Sequence, residues 1–308
     1  MMHLLDDEID FSQYLDLTEH DASVRPASSY IDDVVAHFWD DTAPRGVKTP
    51  WQKVGALLRF RASEVTIWTG YNGHGKSLVL GMVTLGFVAQ GQKVCIASME
   101  MLPKTTLARM ARQAFATSKP EREDIRDLYQ TTGDSVWLYD QQGMVSADRI
   151  VGVVNYAAKK LGCHHFIIDS LLKCGLAEDD YNGQKLLVDR LCTIARDTGI
   201  HIHLVAHSRK GKDETTPPGK MDVRGAASIT DQVDNVVSTW RNKPKELACS
   251  EGNGAAMAND PDALVEVLKQ RNGEWEGRIK LWFDAASLQF MESATCGTRN
   301  ILNPKAYQ

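Results

Sequence analysis

The sequence contains no apolar run that approaches the roughly twenty residues of a membrane-spanning helix. Its first residues are acidic, whereas a secretory signal peptide starts with basic and then apolar residues. These two absences argue against a membrane-bound or secreted protein and predict a cytoplasmic one. The 308 residues are 24% charged and 43% hydrophobic, a composition typical of a globular protein with a large core.

No Cys-x-x-Cys spacing occurs among the six cysteines, several of which stand in apolar stretches. We therefore expect buried thiols in a reducing compartment, with no disulfide framework and no catalytic cysteine. The clustered histidines have no metal-like spacing with acids or cysteines, so a structural role is favoured over a zinc site. These histidines are His164, His165, His201 and His203.

The net charge of −5 is unevenly distributed along the chain. Residues 1–41 contain eleven acidic side chains and one basic, Arg25, while the remaining 267 residues carry a net charge of +5. The net charge of the whole chain is lowered by this acidic start, so it gives no sign of a basic surface elsewhere that could bind nucleic acid. The composition therefore leaves room for such a surface on the rest of the chain.

The strongest motif is Gly70–Ser77 (GYNGHGKS), which matches the phosphate-binding pattern G-x-x-x-x-G-K-[ST] at every fixed position. A buried strand is predicted just before it, over Val65–Thr69, and an apolar helix just after it, from Ser77 to Val88. In this context backbone N–H groups cradle a diphosphate, Lys76 reaches the β- and γ-phosphates, and Ser77 contributes a hydroxyl to Mg²⁺. An ordinary glycine-rich turn with a solvated lysine is the disfavoured alternative. The candidate nucleotide-binding residues are Gly70, Gly73, His74, Gly75, Lys76, Ser77, Leu78 and Arg241.

From Ser63 onward, predicted strands and helices alternate, which indicates an α/β fold with a mostly parallel sheet, helices on both faces and ligands at the carboxyl ends of the strands. Later strands without long helices between them predict an antiparallel extension at one edge. Asn242–Pro261 is predicted to be a surface loop. The predicted parallel strands are Val65–Thr69, Val94–Met99, Val136–Tyr139, His165–Ile168 and Ile202–Ala206; the helices include Pro103–Ser118, Ala147–Leu161 and Gln184–Thr198; the later strands are Asn235–Trp240, Ala263–Gln270 and Arg278–Phe283.

Three polar residues follow predicted strands and so belong at the nucleotide edge of the sheet. Asp169 ends an apolar strand and is the natural Mg²⁺ partner of Ser77. Glu100 ends the strand after the phosphate-loop helix, where a carboxylate can orient and deprotonate an attacking water; a capping or solvated acid is the alternative. His207 ends the strand Ile202–Ala206, where a polar side chain can contact the γ-phosphate.

Two basic segments lie beyond these strand ends. The loop Ser208–Gly225 is long and rich in cations, which suits contacts with a phosphate backbone; a solvated charged loop is the alternative. Its cations are Arg209, Lys210, Lys212, Lys220 and Arg224. The second segment, Lys269–Gly273 (KQRNG), holds Lys269 and Arg271 at a strand end, where they are available to a neighbouring subunit's nucleotide.

The N-terminal region contains an acidic arm followed by a short amphipathic helix. The arm, Met1 to Ala27, lacks apolar periodicity and is predicted to be poorly ordered. Ser28 or Ser29 is predicted to cap the helix, which carries two adjacent apolar rows and ends near Trp39. These rows pack either on the chain's own domain or on a neighbouring subunit, and the sequence leaves both interpretations open.

Taken in order, these motifs resemble the RecA-like motor domain of ring-shaped replicative helicases, the DnaB-like family and the related phage primase-helicases. The matching segments are GYNGHGKS at Gly70–Ser77, ASMEM at Ala97–Met101, FIIDS at Phe166–Ser170, VAHSRK at Val205–Lys210, MDVRGAASITDQVDNVVSTWRN at Met221–Asn242 and KQRNG at Lys269–Gly273. The resemblance spans about Pro44 to Phe283 and implies a RecA-like P-loop ATPase core over residues 63–293. The other parts are an arm (1–27), a linker helix with connector (28–62) and a C-terminal tail, expected to be loose (294–308).

The resemblance implies a DNA helicase that is driven by hydrolysis of Mg-ATP. Lys76 and Ser77 then contact phosphate and Mg²⁺, and Asp169 contacts the metal. Glu100 is the hydrolytic base. His207 resembles the γ-phosphate sensor of the phage branch of the family.

The same resemblance implies an assembly, expected to be a hexamer, on single-stranded DNA. Arg271, with Lys269 beside it, resembles the finger that is inserted into the adjacent subunit's site. The DNA-contacting loops of the family match Leu171–Gln184 and Arg209–Arg224. Family members usually carry a further N-terminal domain, whereas about sixty residues precede the motor here. The helix Ser29–Trp39 is therefore expected to grip the neighbour, with a primase or helicase loader as a further partner.

Three other interpretations remain open from the sequence. The first is a RecA-like DNA-dependent ATPase that acts in loading or recombination without unwinding. The second is a P-loop kinase, which the finger-like hairpin and the lack of an evident lid disfavour. The third is a nucleotide-gated scaffold without turnover, against which Glu100 argues.

Overall fold

The computed structural model describes residues 4–5, 10, 12, 26–40, 46–209, 214–223 and 227–307. The strands are β1 (Leu4–Leu5), β2 (Val47–Lys48), β3 (Arg59–Phe60), β4 (Val65–Thr69), β5 (Val94–Ser98), β6 (Val136–Tyr139), β7 (His165–Asp169), β8 (His201–Val205), β9 (Asn235–Arg241), β10 (Ala263–Gln270), β11 (Gly277–Asp284) and β12 (Gln289–Met291). The α-helices are α1 (Ile31–Trp39), α2 (Lys76–Ala89), α3 (Pro103–Phe115), α4 (Arg122–Thr131), α5 (Ala147–Lys159), α6 (Tyr181–Thr198), α7 (Ala227–Gln232) and α8 (Lys243–Ser250). No helix in this part of the chain combines the length and the apolar character needed to cross a bilayer.

Ten of the described strands form one sheet in the order β1-β6-β5-β7-β8-β4-β9-β10-β11-β12. Neighbouring strands from β1 to β9 run parallel, and the pairs from β9 to β12 run antiparallel. The predicted α/β fold, a mostly parallel sheet with an antiparallel edge, is confirmed. The carboxyl ends of β5, β7, β8 and β4 are adjacent, so the loops that follow these strands share one edge of the sheet.

Side chains alternate along each strand between two cores, one on each face of the sheet. On β7, Phe166 and Ile168 belong to the core that includes α5 and α6, while Ile167 belongs to the core that includes α2 and α3. Strands β4, β5 and β8 are buried over their whole length, as expected for a sheet with helices on both faces. This burial holds the strand ends in place for the site built on them.

The predicted strands agree with the structure to within one residue at each end, but three of the described helices, α4, α7 and α8, were not predicted. Helix α4 has no predicted counterpart, and α8 lies inside the predicted loop Asn242–Pro261, so that prediction is wrong in part. The side chain of Asn242 accepts a hydrogen bond from the backbone N–H of Lys245 at 3.1 Å, and Pro244 stands in the first turn. An asparagine cap with a proline behind it is a start signal for a helix, and it was present in the sequence.

The C-terminal segment is packed against the domain, in contrast to the loose tail that the sequence suggests. Ile301 and Tyr307 are buried, and the Tyr307 hydroxyl donates to the carbonyl oxygen of Ile301 at 2.9 Å. Tyr307 lies against Gly86 of α2, and Lys48 Nζ donates to its carbonyl oxygen at 2.5 Å. Single apolar residues spaced among polar ones show no periodicity, so their burial is visible only in the folded chain.

The N-terminal region contributes β1, which pairs in parallel with β6, although the sequence predicts a poorly ordered arm there. Most of that arm lies outside the described residues. The predicted helix forms as α1, after a 3₁₀ turn over Ala27–Tyr30, but no serine side chain caps it. Its apolar rows are exposed, with Phe38 at 73% and Trp39 at 83%. This exposure disfavours the first of the two open interpretations, packing on the chain's own domain.

Three buried histidines form a neutral network inside the sheet. Trp68 Nε1 donates to His203 Nδ1 at 3.1 Å, which places the proton of His203 on Nε2, 3.2 Å from His165 Nδ1. His201 Nδ1 lies 2.5 Å from the carbonyl oxygen of Arg61, so this nitrogen carries the proton. Burial lowers the pKa of His201 to about 4 and the pKa of both other histidines well below the usual value. His165, His201 and His203 therefore act as uncharged core residues, whereas His164 is exposed.

This network predicts that the protein loses stability in mild acid. The unfolded chain binds a proton at each histidine below about pH 6.5, while the folded chain resists protonation until about pH 4. Stability is therefore complete above pH 6.5 and falls as the pH drops towards 4. His201 alone should remove about 2 kcal/mol from the free energy of unfolding between pH 7 and pH 5. Urea unfolding at both pH values measures this loss; equal stability at both would contradict it, and His201→Asn should reduce the difference.

Candidate nucleotide-binding site

The phosphate loop, residues 70–77, connects the carboxyl end of β4 to α2. Gly70, Gly73 and Gly75 have φ values of +147°, +75° and +84°, a region that other residues rarely adopt. A Cβ atom on Gly70 would lie 2.3 Å from the carbonyl oxygen of Thr239 on β9. The loop is therefore held tightly against β9, and glycine is required at its first position.

Lys76 is 6% exposed, and its ammonium group lies within the loop. Its Nζ donates to the carbonyl oxygens of Gly70 and Tyr71, both at 2.9 Å. Burial lowers the pKa of Lys76 to about 8, although the carboxylates of Asp169 and Glu100 favour the charged form. A cation that is poorly solvated in this way gains strongly when an anion such as a phosphate binds beside it.

Ser77, in the first turn of α2, lies in contact with Asp169, the last residue of β7. Ser77 Oγ donates to Asp169 Oδ2 at 2.6 Å. Burial raises the pKa of Asp169, while the hydrogen bond from Ser77 lowers it. A hydroxyl and a carboxylate in contact are the hard oxygen donors that Mg²⁺ prefers, so these two residues fit the metal that the motif implies.

Glu100 and His207 stand at neighbouring strand ends on the same edge. Ser98 of β5 pairs with Asp169 of β7, so Glu100, two residues beyond Ser98, lies beside the Asp169 strand end. Ser170 Oγ lies 3.5 Å from Glu100 Oε1. His207 follows β8, which lies between β7 and β4 in the sheet. The fold therefore brings these predicted residues to the edge that carries the phosphate loop.

A cavity of about 460 Å³ adjoins the phosphate loop. Some of its walls are residues of the phosphate loop, α2 and β9 that the sequence predicted. The other walls come from α8 and from the antiparallel strands and the turns beside them, and the sequence did not suggest them. The rings of Phe283 and Phe290 form one apolar wall, with their centroids 5.0 Å apart. The unpredicted residues lie about 170 or more positions after the loop, and no local motif marks them. The lining residues are Gly73, His74, Gly75, Leu78, Arg241, Lys245, Glu246, Cys249, Asp262, Ala263, Phe283, Ala285 and Phe290.

His74 is 1% exposed and connects the phosphate loop to two other segments. The backbone N–H of Arg241 donates to His74 Nδ1 at 3.1 Å, so this nitrogen is the acceptor and the proton lies on Nε2. His74 Nε2 donates to Glu214 Oε2 at 3.2 Å. Burial lowers the pKa of His74, while Glu214 opposes this effect. Because the Arg241 backbone and Glu214 hold both of its nitrogens, His74 reaches the cavity as a neutral ring.

The basic loop after β8 begins beside the phosphate loop. Ser208 donates from its backbone N–H to the carbonyl oxygen of Gly70 at 3.1 Å, and the N–H of Arg209 donates to the Asp222 carbonyl at 2.7 Å. The side chain of Arg209 is exposed, and Lys220 Nζ lies 3.3 Å from Asp231 Oδ1. Three of the predicted cations of this loop lie outside the described residues, namely Lys210, Lys212 and Arg224.

The hairpin that carries Lys269 and Arg271 lies at the opposite edge of the sheet. Gln270 pairs with Asn235, which pairs with Thr66 near the start of β4, whereas the phosphate loop follows the end of β4. The five residues of β4 separate the two edges by about 16 Å. The cations of this hairpin therefore lie far from the phosphate loop of the same chain. The sequence-based interpretation requires this separation, because it assigns the cations to a neighbouring subunit's nucleotide.

The two cations of this hairpin differ in their contacts. Lys269 Nζ donates to the carbonyl oxygens of Thr230, Asp231 and Val233, which occupy its three protons. Arg271 Nη1 lies 3.1 Å from Asp234 Oδ1, and its Nη2 donates to the carbonyl oxygens of Asp231 at 3.1 Å and Gln232 at 3.4 Å, while the arginine side chain stays half exposed. Within one subunit the ammonium group of Lys269 therefore holds the end of α7, and its predicted catalytic role stays a prediction. Arg271 also binds the end of α7, but its side chain is half exposed.

A family model described as "AAA domain" (AAA_25) matches residues 39–213, more than half of the chain. Among solved structures, one described as an "ATPase Domain" matches with a TM-score of 0.67 and 15% identity over 87% of this chain and 99% of that chain. A second, described as "The Structure Of A DnaB-Like Replicative Helicase And Its Interactions With Primase", has the same TM-score, identity and coverage of this chain, and 67% of that chain is covered.

These matches agree with the geometry of the site. At 15% identity the solved structures show the fold, and they confirm the RecA-like motor fold that the ordered motifs predict. The family match covers β4, β5, β7 and β8, whose ends carry the phosphate loop and the two carboxylates. The chain belongs to the AAA domain family and is an ATPase domain with the fold of DnaB-like replicative helicase motors.

Proposed function

We propose that this protein is an ATP-dependent DNA helicase motor that hydrolyses Mg-ATP at sites shared between the subunits of a ring. The observation that carries this proposal is the placement of Arg271. It lies on the edge of the sheet opposite its own phosphate loop, and its side chain is half exposed. An arginine in this position serves a nucleotide only when that nucleotide is bound to a second copy of the chain.

Within one subunit, the described residues supply the chemistry of hydrolysis. Lys76 and the loop N–H groups bind the β- and γ-phosphates and stabilise the charge that develops on the leaving ADP. Ser77 and Asp169 would hold Mg²⁺, which would supply positive charge that offsets the negative charge of the phosphates. Glu100 takes the proton of the water that attacks the γ-phosphorus. His207 lies one strand away from Asp169 and contacts the γ-phosphate as its sensor.

The cavity beside the phosphate loop receives the rest of the nucleotide. Its apolar wall of Phe283 and Phe290 suits a flat base, and Leu78 lies on the same lining. The Arg241 side chain forms an ion pair with Glu246 at the rim. The proposed nucleotide site thus combines residues 73–78 of the phosphate-loop region with residues 241–290 of the later strands and α8.

In the proposed assembly, the neighbour supplies Arg271 to the γ-phosphate, and Lys269 positions the hairpin that carries it. The ring is expected to be a hexamer around single-stranded DNA. Arg209 and Lys220, with the other cations of the basic loop, contact the DNA backbone without reading its bases. The DnaB-like structure of the same fold is described together with primase, which supports a primase or helicase loader as a further partner.

The exposed apolar face of α1 is expected to hold the neighbouring subunit. Replacing Phe38 and Trp39 together with serine should weaken assembly at least tenfold, because each large side chain loses about 2 kcal/mol of burial in the interface. The mass of the particles with and without a non-hydrolysable ATP analogue and single-stranded DNA measures this change. Asp33→Asn on the same helix is the control. An unchanged distribution of masses in the double variant would remove α1 from the interface.

Unwinding of a forked DNA duplex tests the function as a whole. We expect ATP, but not the non-hydrolysable analogue, to support strand displacement. Arg209→Ala should weaken binding of single-stranded DNA and lower the slope of log K against log salt by about 0.7, because one phosphate contact is lost. Arg122→Ala, an exposed arginine on α4, should change neither. Nucleotide-dependent DNA binding without displacement would favour the alternative, a RecA-like ATPase in loading or recombination.

A further inference from the structure

Glu214 lies in the segment after β8 and is bonded to three other parts of the molecule. Its carboxylate accepts the His74 Nε2 proton at 3.2 Å and forms an ion pair with Lys243 at the start of α8. Its backbone carbonyl accepts a hydrogen bond from Trp240 Nε1 at 2.9 Å. One residue of the basic loop is thus fastened to the phosphate loop, to β9 and to α8.

The bond between His74 and Glu214 has a fixed direction. The Arg241 N–H occupies Nδ1 of His74, so the ring must donate from Nε2, and Glu214 is the acceptor that it finds. His74 is almost fully buried and packs against the Tyr71 ring of the phosphate loop, with a centroid distance of 5.2 Å. Because hydrogen bonds hold both ring nitrogens, a shift of the phosphate-loop backbone changes the position of Nε2 and therefore of Glu214.

A second connection joins the same two loops at their base. The carbonyl oxygen of Gly70 accepts hydrogen bonds from Ser208 N at 3.1 Å and from Lys76 Nζ at 2.9 Å. Thr69 Oγ1 lies 2.9 Å from Ser208 Oγ. A phosphate bound by Lys76 competes for the ammonium protons that Gly70 and Tyr71 accept. Nucleotide binding therefore changes the bonding of the phosphate loop at the residues that hold the basic loop.

We propose that Glu214 is a positioning residue that couples nucleotide binding at the phosphate loop to binding of single-stranded nucleic acid by the basic loop. This inference rests on the proposed function, because it assigns a role to the cations of that loop. The carboxylate transmits the position of His74 to the described residues 214–220 of the basic loop, where Lys220 meets the nucleic-acid backbone. Glu214 itself contacts neither nucleotide nor nucleic acid.

Such coupling is reciprocal. If a nucleotide tightens the binding of single-stranded DNA by some factor, the DNA must tighten the binding of that nucleotide by the same factor. Coupling factors between sites are typically about 5- to 150-fold. A variant that breaks the connection should therefore reduce the coupling factor equally whether nucleotide or DNA is bound first. A variant that only distorts one loop should weaken the binding of one ligand alone.

The experiment measures the affinity for a fluorescent oligothymidylate with and without the non-hydrolysable ATP analogue and Mg²⁺, and the affinity for the analogue with and without DNA. In the full-length protein we expect the analogue to tighten DNA binding. Glu214→Ala should reduce this coupling factor at least fivefold in both directions, while ATP hydrolysis without DNA and the thermal midpoint stay near the unchanged protein's values. Glu214→Gln keeps a carbonyl oxygen that accepts the His74 proton, so it should retain at least half of the coupling free energy.

The matched control is Glu251→Ala, an exposed glutamate just after α8. It should leave both coupling factors unchanged. Full coupling in Glu214→Ala, or a loss in Glu214→Gln as large as in Glu214→Ala, would overturn the assignment, the second because it would place the effect in the Lys243 ion pair. A failure of the unchanged protein to bind single-stranded DNA would instead overturn the proposed function.

Discussion

ATP hydrolysis is expected to fall by about 100- to 1,000-fold when Lys76 is replaced with alanine, because the charge that stabilises the transferring phosphate is lost. The loss should appear in kcat more than in the thermal midpoint. Removing Lys76 leaves the carbonyl oxygens of Gly70 and Tyr71 without this donor, but it also removes a poorly solvated charge from the interior. Release of phosphate under saturating ATP and a thermal melt are the two measurements.

The control for this variant is Lys119→Ala, which removes an exposed lysine just after α3. It should hydrolyse ATP at the unchanged rate. A Lys76→Ala protein that keeps more than a tenth of the activity would contradict the assignment of the phosphate loop. The pH dependence offers an independent check: since the pKa of Lys76 is about 8 in the free protein, affinity for ATP should fall by up to about tenfold per pH unit above pH 8.

Replacing Arg271 with alanine is expected to lower turnover by about 1,000-fold in the assembled protein, a loss of the size attributed to an arginine supplied in trans. Arg271 is half exposed, and its ion pair with Asp234 and its hydrogen bonds to the carbonyl oxygens of Asp231 and Gln232 should together cost about 2 kcal/mol of stability when lost. The variant should fold, bind nucleotide and assemble. Arg278→Ala is a matched control, because Arg278 also forms a half-exposed ion pair, with Glu266 on the neighbouring strand.

A mixture of the two inactive variants provides the sharper test of a shared site. A protomer with Arg271→Ala still has Lys76, and a protomer with Lys76→Ala still offers Arg271 to its neighbour. In a randomly mixed ring about one quarter of the interfaces would then contain both intact residues. Activity should therefore reappear on mixing. No recovery in rings shown to be mixed, or wild-type turnover by Arg271→Ala alone, would reject the shared site.

The phosphate loop and the strands around it could be predicted because their signals are local. Gly70 to Ser77 is a contiguous stretch, and each invariant position of the motif has a reason within the loop itself. Gly75, for example, is needed because its φ is positive. The central strands are buried on both faces, so each forms a short apolar run whose ends are visible in the sequence. Glu100 and Asp169 could be predicted as site residues because each stands at or just beyond the end of such a strand.

Other parts of the site depend on residues that are distant along the chain. Phe283 and Phe290 reach the nucleotide cavity only because the antiparallel strands return to the phosphate loop. The three carbonyl oxygens that Lys269 binds, at the end of α7 and just after it, lie more than thirty positions earlier in the chain. The connection from His74 to Glu214 spans 140 positions and has no local signature.

Local sequence was enough to specify a nucleotide-binding α/β domain, since glycine conformations, apolar strands and strand-end acids act over a few residues. The folded chain alone reveals that α1 keeps its apolar face exposed, that the hairpin of Arg271 lies across the sheet from the phosphate loop of the same chain, and that the phosphate loop is bonded to the loop after β8. These properties arise from contacts between segments that only the packing of the sheet brings near one another, and no short pattern encodes them.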